Sequence, residues 1–232
     1  MRDNQETLTL RMLMLLLVFV IGMPLLPLLI SWRWNWWEAW VSAAIAIFGF
    51  AISRYLASRR HPDLLVERGQ YLENPNPEPW DKYLSPLSSL GGALIPLVAG
   101  LDMRFGPSAQ FGLALKIIAI LLMLSGYALG AYALITNRYF SGMVRIQTER
   151  EHHVINTGPY RWVRHPGYAG ALISNFAAPF LLGSWWSLLP ALLLLGIIFL
   201  RTSLEDRFLQ EKLAGYQEYS HKVRYRLIPG IW

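Results

Sequence analysis

Residues 168–200 read YAGALISNFAAPFLLGSWWSLLPALLLLGIIFL, a run without one charged side chain. At 1.5 Å per residue, a single helix of that length would overshoot the ~30 Å hydrocarbon layer of a bilayer. Near its middle stands Gly183-Ser184-Trp185-Trp186-Ser187, where a glycine, small polar residues and two amphipathic rings suit a turn at a lipid–water boundary. The run therefore predicts two short helices of roughly 15 residues each, joined by that turn, with a re-entrant hairpin as the alternative. A chain that reads this way is an all-α, polytopic integral membrane protein.

Working outward from this stretch, the sequence repeats the pattern. Phe111–Ile135 is apolar apart from Lys116 near its start, where a long side chain can snorkel towards water. Leu84–Leu101 is a weaker, Gly- and Ser-rich block, and Trp40–Ala57 carries Arg54 near its end. Met12–Ile30 has no charge and is interrupted only by Gly22, Pro24 and Pro27. A signal peptide is the competing reading of this first block. The apolar run is too long for one, and no small-residue cleavage site follows it. Six membrane segments result. The expected division is an N-terminal pair of helices (1–60), a connector (61–83), a central pair (84–135) and a C-terminal unit of polar loop, helical hairpin and tail (136–232).

Composition agrees. The 232 residues are 54% hydrophobic and only 16% charged, with no cysteine, which excludes a disordered chain and a disulfide-stapled scaffold. Thiol catalysis and cysteine-ligated iron–sulfur clusters are excluded with them. Mean hydropathy is +0.31, yet the isoelectric point is near 9.7 and the net charge is +6. Six segments place 18 of the 21 Lys and Arg on one side, leaving Arg33, Arg104 and Lys116 for the other. That asymmetry is the positive-inside rule and puts both termini in the cytoplasm. Nucleic-acid binding would instead group basic residues on a soluble face, interleaved with aromatics. A bacterial inner membrane is the expected setting, ahead of an internal eukaryotic one.

Chemistry has few places to sit. The polar loop 136–167 and the segment 201–232 share the cytoplasmic side, and closing the terminal hairpin brings Arg164-His165-Pro166 near Arg201–Asp206. Pro166 biases His165 away from helical geometry and can open the next helix. Free N–H groups at that helix start, beside Arg161 and Arg164, suit a carboxylate or phosphate, or else anchor the chain to lipid headgroups. Arg201 and Glu205 are four residues apart on one helix face, which suits a helix-end ion pair. Equally, Glu205 and Asp206 are adjacent acids at the mouth of a membrane helix and are costly there unless something uses them. Arg201, from its position and its register with Glu205, is the candidate for orienting an anionic nucleophile. Glu205 joins it as the second catalytic candidate. Tyr216, Tyr219, Tyr225 and Trp232 read as an interfacial belt, His152-His153 as loop decoration, and Asn74-Pro-Asn-Pro-Glu-Pro79 as a stiff connector. The five histidines show no metal-binding spacing, so no metal is expected.

Several of these pieces carry a resemblance. Asn137-Arg-Tyr-Phe-Ser141, Val144-Arg-Ile-Gln147, Gly158-Pro-Tyr-Arg161 and Arg164-His-Pro-Gly-Tyr168 resemble the isoprenylcysteine carboxyl methyltransferase family. So do Arg201-x3-Glu205-Asp206, Tyr216-x2-Tyr219 and Leu227-Ile-Pro-Gly230, and the connector His61–Arg68 with Trp80-Asp81-Lys82. The resemblance implies a membrane enzyme using S-adenosylmethionine, with Gly158, Tyr160, Arg164, His165, Pro166 and Tyr168 forming the cofactor cleft. Glu205 and Asp206 would hold the polar end of the cofactor. The family has two glutamates there, and Asp206 departs from that. The acceptor would be a lipophilic carboxylate, prenylcysteine-like, drawn from membrane lipid or a lipidated partner. Rival readings are an NADPH-dependent sterol-type reductase, similar in its ending from Val223 to Trp232, a phospholipid N-methyltransferase, and a non-enzymatic transporter or scaffold.

Overall fold

The computed structural model describes residues 17–69 and 77–232. The start of the first apolar block (12–16), Arg2, Arg11 and Asn74–Asn76 lie outside the described residues. Among the described residues the chain is all helical, with no strand. A π-turn (Val18–Gly22) leads into α1 (Met23–Ser31), where Pro24 fits the first turn and Pro27 is buried within the helix. Then follow α2 (Trp37–Arg60), α3 (Pro62–Gly69), α4 (Asp81–Phe105), α5 (Leu113–Thr136), α6 (Pro166–Leu182), α7 (Leu188–Lys212) and α8 (Tyr216–Lys222). α2, α4, α5 and α7 are each long and apolar enough to cross a membrane. The blocks 40–57 and 84–101 thus sit inside helices that run a few residues past them at each end, whereas α5 starts two residues into the block 111–135.

Residues 168–200 divide at the predicted place, with 168–182 in α6 and 188–200 in α7, and both helices extend beyond the run. α6 has 17 residues and α7 has 25. Gly183 adopts a left-handed φ of 68° and ends α6, the usual task of a glycine after a helix. Ser187 N–H donates to Ser184 Oγ (3.2 Å), which closes the turn. α7 then continues through Arg201, Glu205 and Asp206 to Lys212, because its polar residues are good helix formers and nothing breaks the helix.

α5 and α6 pack backbone to backbone. A Cβ on Gly126 would stand 2.5 Å from the Gly170 carbonyl oxygen, and a Cβ on Gly170 equally close to that of Gly126. Small residues allow this approach, which dispersion forces reward where no hydrophobic effect drives helices together. The main core joins Ile95, Met123, Ala177, Leu181, Leu194 and Ile198 from α4, α5, α6 and α7.

The two ends of the bundle differ. At one, Arg104 donates to the Ile30 carbonyl (2.9 Å) and Trp185 N–H to Ser108 Oγ (2.9 Å), while Phe111, Phe180 and Trp185 pack edge to face. There Lys116 bonds Glu38 rather than snorkelling, with its ammonium 5.8 Å from the Trp37 ring centroid. The opposite end gathers α3, the loop 137–165 and the residues after 212.

Candidate functional site

The loop 137–165 is fixed by polar bonds rather than by regular structure. Gln147 is fully buried and donates to the Tyr139 carbonyl (2.9 Å). Arg150 and Arg138 grip Asp63 of α3, and these bonds, Arg150 first, hold the Asp63 carboxyl down at about 2. Ser141 donates to Glu67 (2.7 Å), and Arg145 pairs with Glu67 and with Glu149 (2.6 Å). His152 lies 4.4 Å from the Tyr139 ring centroid, while Tyr139 Oη and His153 Nδ1 are 2.8 Å apart. These histidines are therefore packed elements of the loop, not decoration. Burial, then His153 and Arg150, bring His152 down to about 4.

Gly158 opens the next turn with φ +56°, and a Cβ there would come within 2.9 Å of Thr136 Oγ1, so glycine is required twice over. The turn buries Tyr160, which receives a hydrogen bond from Asn137 Nδ2 (3.3 Å) and whose carbonyl accepts from Tyr219 Oη (2.7 Å). Burial raises the Tyr160 phenol far above its usual range, so it stays protonated. The backbone then runs beside the C-terminal segment: Arg164 N–H donates to the Tyr225 carbonyl and His165 N–H to that of Arg226, both at 2.9 Å. Buried Pro166 opens α6, as expected of a proline that needs no N–H partner.

Asp206 is the hub. It is fully buried, and each oxygen faces three donors. Oδ1 meets Arg164 Nε (2.6 Å), Tyr216 Oη (3.0 Å) and His165 Nε2 (3.4 Å). Oδ2 meets Arg164 Nη2 (2.8 Å), Arg226 Nε (2.9 Å) and Gln210 Nε2 (3.0 Å). Arg164 spends its remaining nitrogen on the Val223 and Arg224 carbonyls (2.7 and 2.8 Å). Burial works against the Arg164 charge, but Asp206 outweighs it and keeps its pKa above the ordinary value. Burial also drives the Tyr216 phenol well upward. Arg164 is thus neither a headgroup anchor nor an open anion site, since its charge is consumed inside the protein.

The neighbouring acid is arranged differently. Glu205 Oε2 accepts from Tyr168 Oη (2.6 Å), and Oε1 has only His165 Nδ1 nearby, at 3.9 Å. The His165 and Tyr168 rings lie nearly parallel, 5.8 Å apart. Glu205 keeps 21% of its side chain exposed. One of two adjacent acids is saturated and the other has an oxygen to spare.

Arg201 does not pair with Glu205. It takes Asp81 at the first residue of α4, with Nε–Oδ1 at 2.7 Å and Nη2–Oδ2 at 2.9 Å, and Nη2 also donates to the Gly142 carbonyl (2.9 Å). Its guanidinium carbon stands 5.3 Å from the Tyr168 ring centroid. Tyr168 therefore bridges Arg201 and Glu205, which the i,i+4 spacing had paired directly.

Tyr160, Arg164, His165, Pro166, Tyr168, Arg201, Glu205 and Asp206 all meet at this end, and Gly158 shapes the turn that carries Tyr160. Asp81, Tyr216, Tyr219, Gln210 and Arg226 belong to the same constellation without having been foreseen as site residues. Tyr216 and Tyr219 are buried rather than interfacial, because their hydroxyls find partners within the cluster. Trp232 stacks on Phe199 at 4.5 Å. A lone acid at the start of an apolar helix was the signal available for Asp81.

The model of the Isoprenylcysteine carboxyl methyltransferase (ICMT) family matches residues 118–211. The similarity to that family's model is confined to this segment. It runs from α5 to the end of α7 and contains every residue from Gly158 to Asp206 described above. A probable protein-S-isoprenylcysteine O-methyltransferase of Oryza sativa subsp. indica is 30% identical over 109 residues, covering 46% of this chain and 57% of its own. Its counterpart in subsp. japonica gives the same figures. The protein-S-isoprenylcysteine O-methyltransferase of Saccharomyces cerevisiae is 33% identical over 98 residues, 36% of each chain. The chain thus spans little more than half the length of the rice relatives it matches. Asp81, Tyr216, Tyr219 and Arg226 fall outside the matched segment, so the constellation is completed by residues from both sides of it.

Proposed function

We propose that the chain is an integral-membrane methyltransferase, which uses S-adenosylmethionine to methylate the carboxylate of a lipophilic, prenylcysteine-like acceptor. The observation that carries this reading is the contrast at positions 205 and 206. Asp206 is spent on fixing Arg164, His165 and Tyr216, whereas Glu205 Oε1 is a partly exposed acceptor without a hydrogen-bond partner among the described residues. A sulfonium or ammonium cation, or ribose hydroxyls, fits such an oxygen. Glu205, Tyr168 and His165 would hold the cofactor, with Tyr160 and Gly158 shaping the wall and Arg164, Pro166 and Asp206 fixing the backbone behind them. When bound, the cofactor would supply an electrophilic methyl group for the acceptor oxygen, its sulfur would keep the electron pair of the carbon–sulfur bond that breaks, and the two charges would cancel.

No proton moves in that balance, so the protein needs no general base and its task is orientation and charge placement. Arg201 is the residue that orients the acceptor carboxylate. The acceptor would enter from the lipid and the cofactor from the cytoplasm. On this reading α1, α2, α4, α5, α6 and α7 are six membrane segments with both termini cytoplasmic, α6 and α7 forming a hairpin. The division 1–60, 61–83, 84–135 and 136–232 follows the same scheme. A bacterial inner membrane is the proposed setting. The relatives reported above are all named as protein-S-isoprenylcysteine O-methyltransferases, and none favours the reductase, the phospholipid methyltransferase or the scaffold.

The experiment is a titration of purified protein in detergent with S-adenosylhomocysteine and NADPH, followed by thermal stability, and then an assay of methyl transfer to S-farnesyl-N-acetylcysteine. Stabilisation by S-adenosylhomocysteine together with ester formation is the expected result. Stabilisation by NADPH alone would overturn the reading in favour of a reductase.

A further inference from the structure

Arg201 has three nitrogens, and two of them are engaged. Nε and Nη2 face the two oxygens of Asp81, and Nη2 gives its second hydrogen to the Gly142 carbonyl. Among the described residues Nη1 has no hydrogen-bond partner. Asp81 is itself fully buried and immobilised, since Oδ2 also accepts from Val144 N–H (2.7 Å), and Ser85 Oγ supports the same Gly142 carbonyl at 2.9 Å. The guanidinium rests against the Tyr168 ring, and the hydroxyl of that ring holds Glu205. Two-point pairing fixes the plane of a guanidinium as well as its position.

We propose that Asp81 is a positioning residue, which clamps Arg201 so that Nη1 alone is presented to a lipid-borne carboxylate beside Tyr168. The inference rests on the methyltransferase reading for its purpose and for the ligands of its test. A free arginine would bind a carboxylate with both prongs and tie up both of its oxygens. An arginine already clamped on one edge offers a single nitrogen, so one acceptor oxygen is anchored while the other remains available for attack. The Asp81 charge also cancels that of Arg201. The site then holds a monoanion by directed hydrogen bonding, without the strong general pull on anions that an unpaired buried cation would exert. Arg164, by contrast, engages all three of its nitrogens, with Asp206 and with the Val223 and Arg224 carbonyls.

The test measures binding of S-farnesyl-N-acetylcysteine and of its methyl ester to the purified full chain by calorimetry, with S-adenosylhomocysteine binding as the check of an intact fold. The wild type should prefer the acid to the ester by about tenfold or more, as one charged hydrogen bond is worth. Asp81→Asn should abolish that preference, as Arg201→Ala does, while S-adenosylhomocysteine affinity changes less than about twofold. Should Asp81→Asn not fold, Asp81→Glu is decisive, because it keeps the charge but shifts the guanidinium by one methylene and should weaken acid binding about threefold or more. An Asp81 variant that folds and keeps the full acid-over-ester preference overturns the proposal. So does a wild type that fails to distinguish acid from ester. A wild type that prefers the acid, loses that preference at Asp81, and yet transfers no methyl group sustains this inference and refutes the methyltransferase reading.

Discussion

The two ends of the helix bundle are built from the same apolar helices and are closed in opposite ways. Where α1 meets α2, α4 meets α5 and α6 meets α7, short turns are covered by exposed tryptophans and by the Phe111, Phe180 and Trp185 rings, with one ion pair, Lys116–Glu38, locking α2 to α5. At the other end, Arg164, Arg201, Arg145, Asp81, Asp206 and Glu67 are all buried or nearly so. Buried ion pairs are weak contributors to stability, because desolvation offsets most of the attraction. The turn end shows that these helices can be joined with far less buried charge. The concentration at the loop end therefore needs another explanation, and the proposed orientation of a charged reaction partner is one.

This contrast can be broken most severely at Asp206. Asp206→Ala should cost about 3–5 kcal/mol, because it strands Arg164 and Arg226 in a buried site, and it should be seen as failure to recover folded protein from detergent. A well-behaved Asp206→Ala would show that the hub is dispensable. Next comes Glu205→Gln, whose amide oxygen still accepts from Tyr168. Its melting temperature should stay near that of the wild type while S-adenosylhomocysteine affinity drops by about tenfold or more. Equal losses at both acids would erase the distinction between them.

At the opposite end, Lys116→Met should cost about 1–3 kcal/mol by leaving Glu38 unpaired, with S-adenosylhomocysteine binding unaffected. Adding Glu38→Met should restore most of the loss, and a double variant as unstable as the single one would contradict a merely structural pair. The smallest effect concerns His152. Its pKa falls from the ordinary 6.5 to about 4 in the folded chain, so between those values the unfolded chain binds more protons and stability rises with pH. The contribution is complete above pH 6.5 and is lost as pH falls towards 4. Melting temperatures at pH 5 and pH 7.5 should differ less in His152→Phe than in the wild type.

Much of this architecture was legible in the chain. Helix positions, the break at Gly183–Ser187, the helix start at Pro166 and the meeting of Arg164-His165 with Glu205-Asp206 all follow from local rules, because apolar length, glycine and proline act on the backbone where they stand. Partner choice was another matter. Helical spacing offered Arg201 to Glu205, but spacing only says which side chains can meet on one helix, and a buried carboxylate from α4 was the stronger competitor. Tyr216 and Tyr219 looked interfacial because an aromatic ring with a hydroxyl suits either a membrane boundary or a buried network.

By itself, then, the sequence determined that this is a helical membrane protein whose basic residues gather largely at one end, since hydrophobic length and charge asymmetry are sums over residues. Only the tertiary structure decided which acid is saturated, which oxygen is spare, and that Asp81, 120 residues away, clamps Arg201. Those are matters of who reaches whom at three ångströms, and no periodicity encodes them.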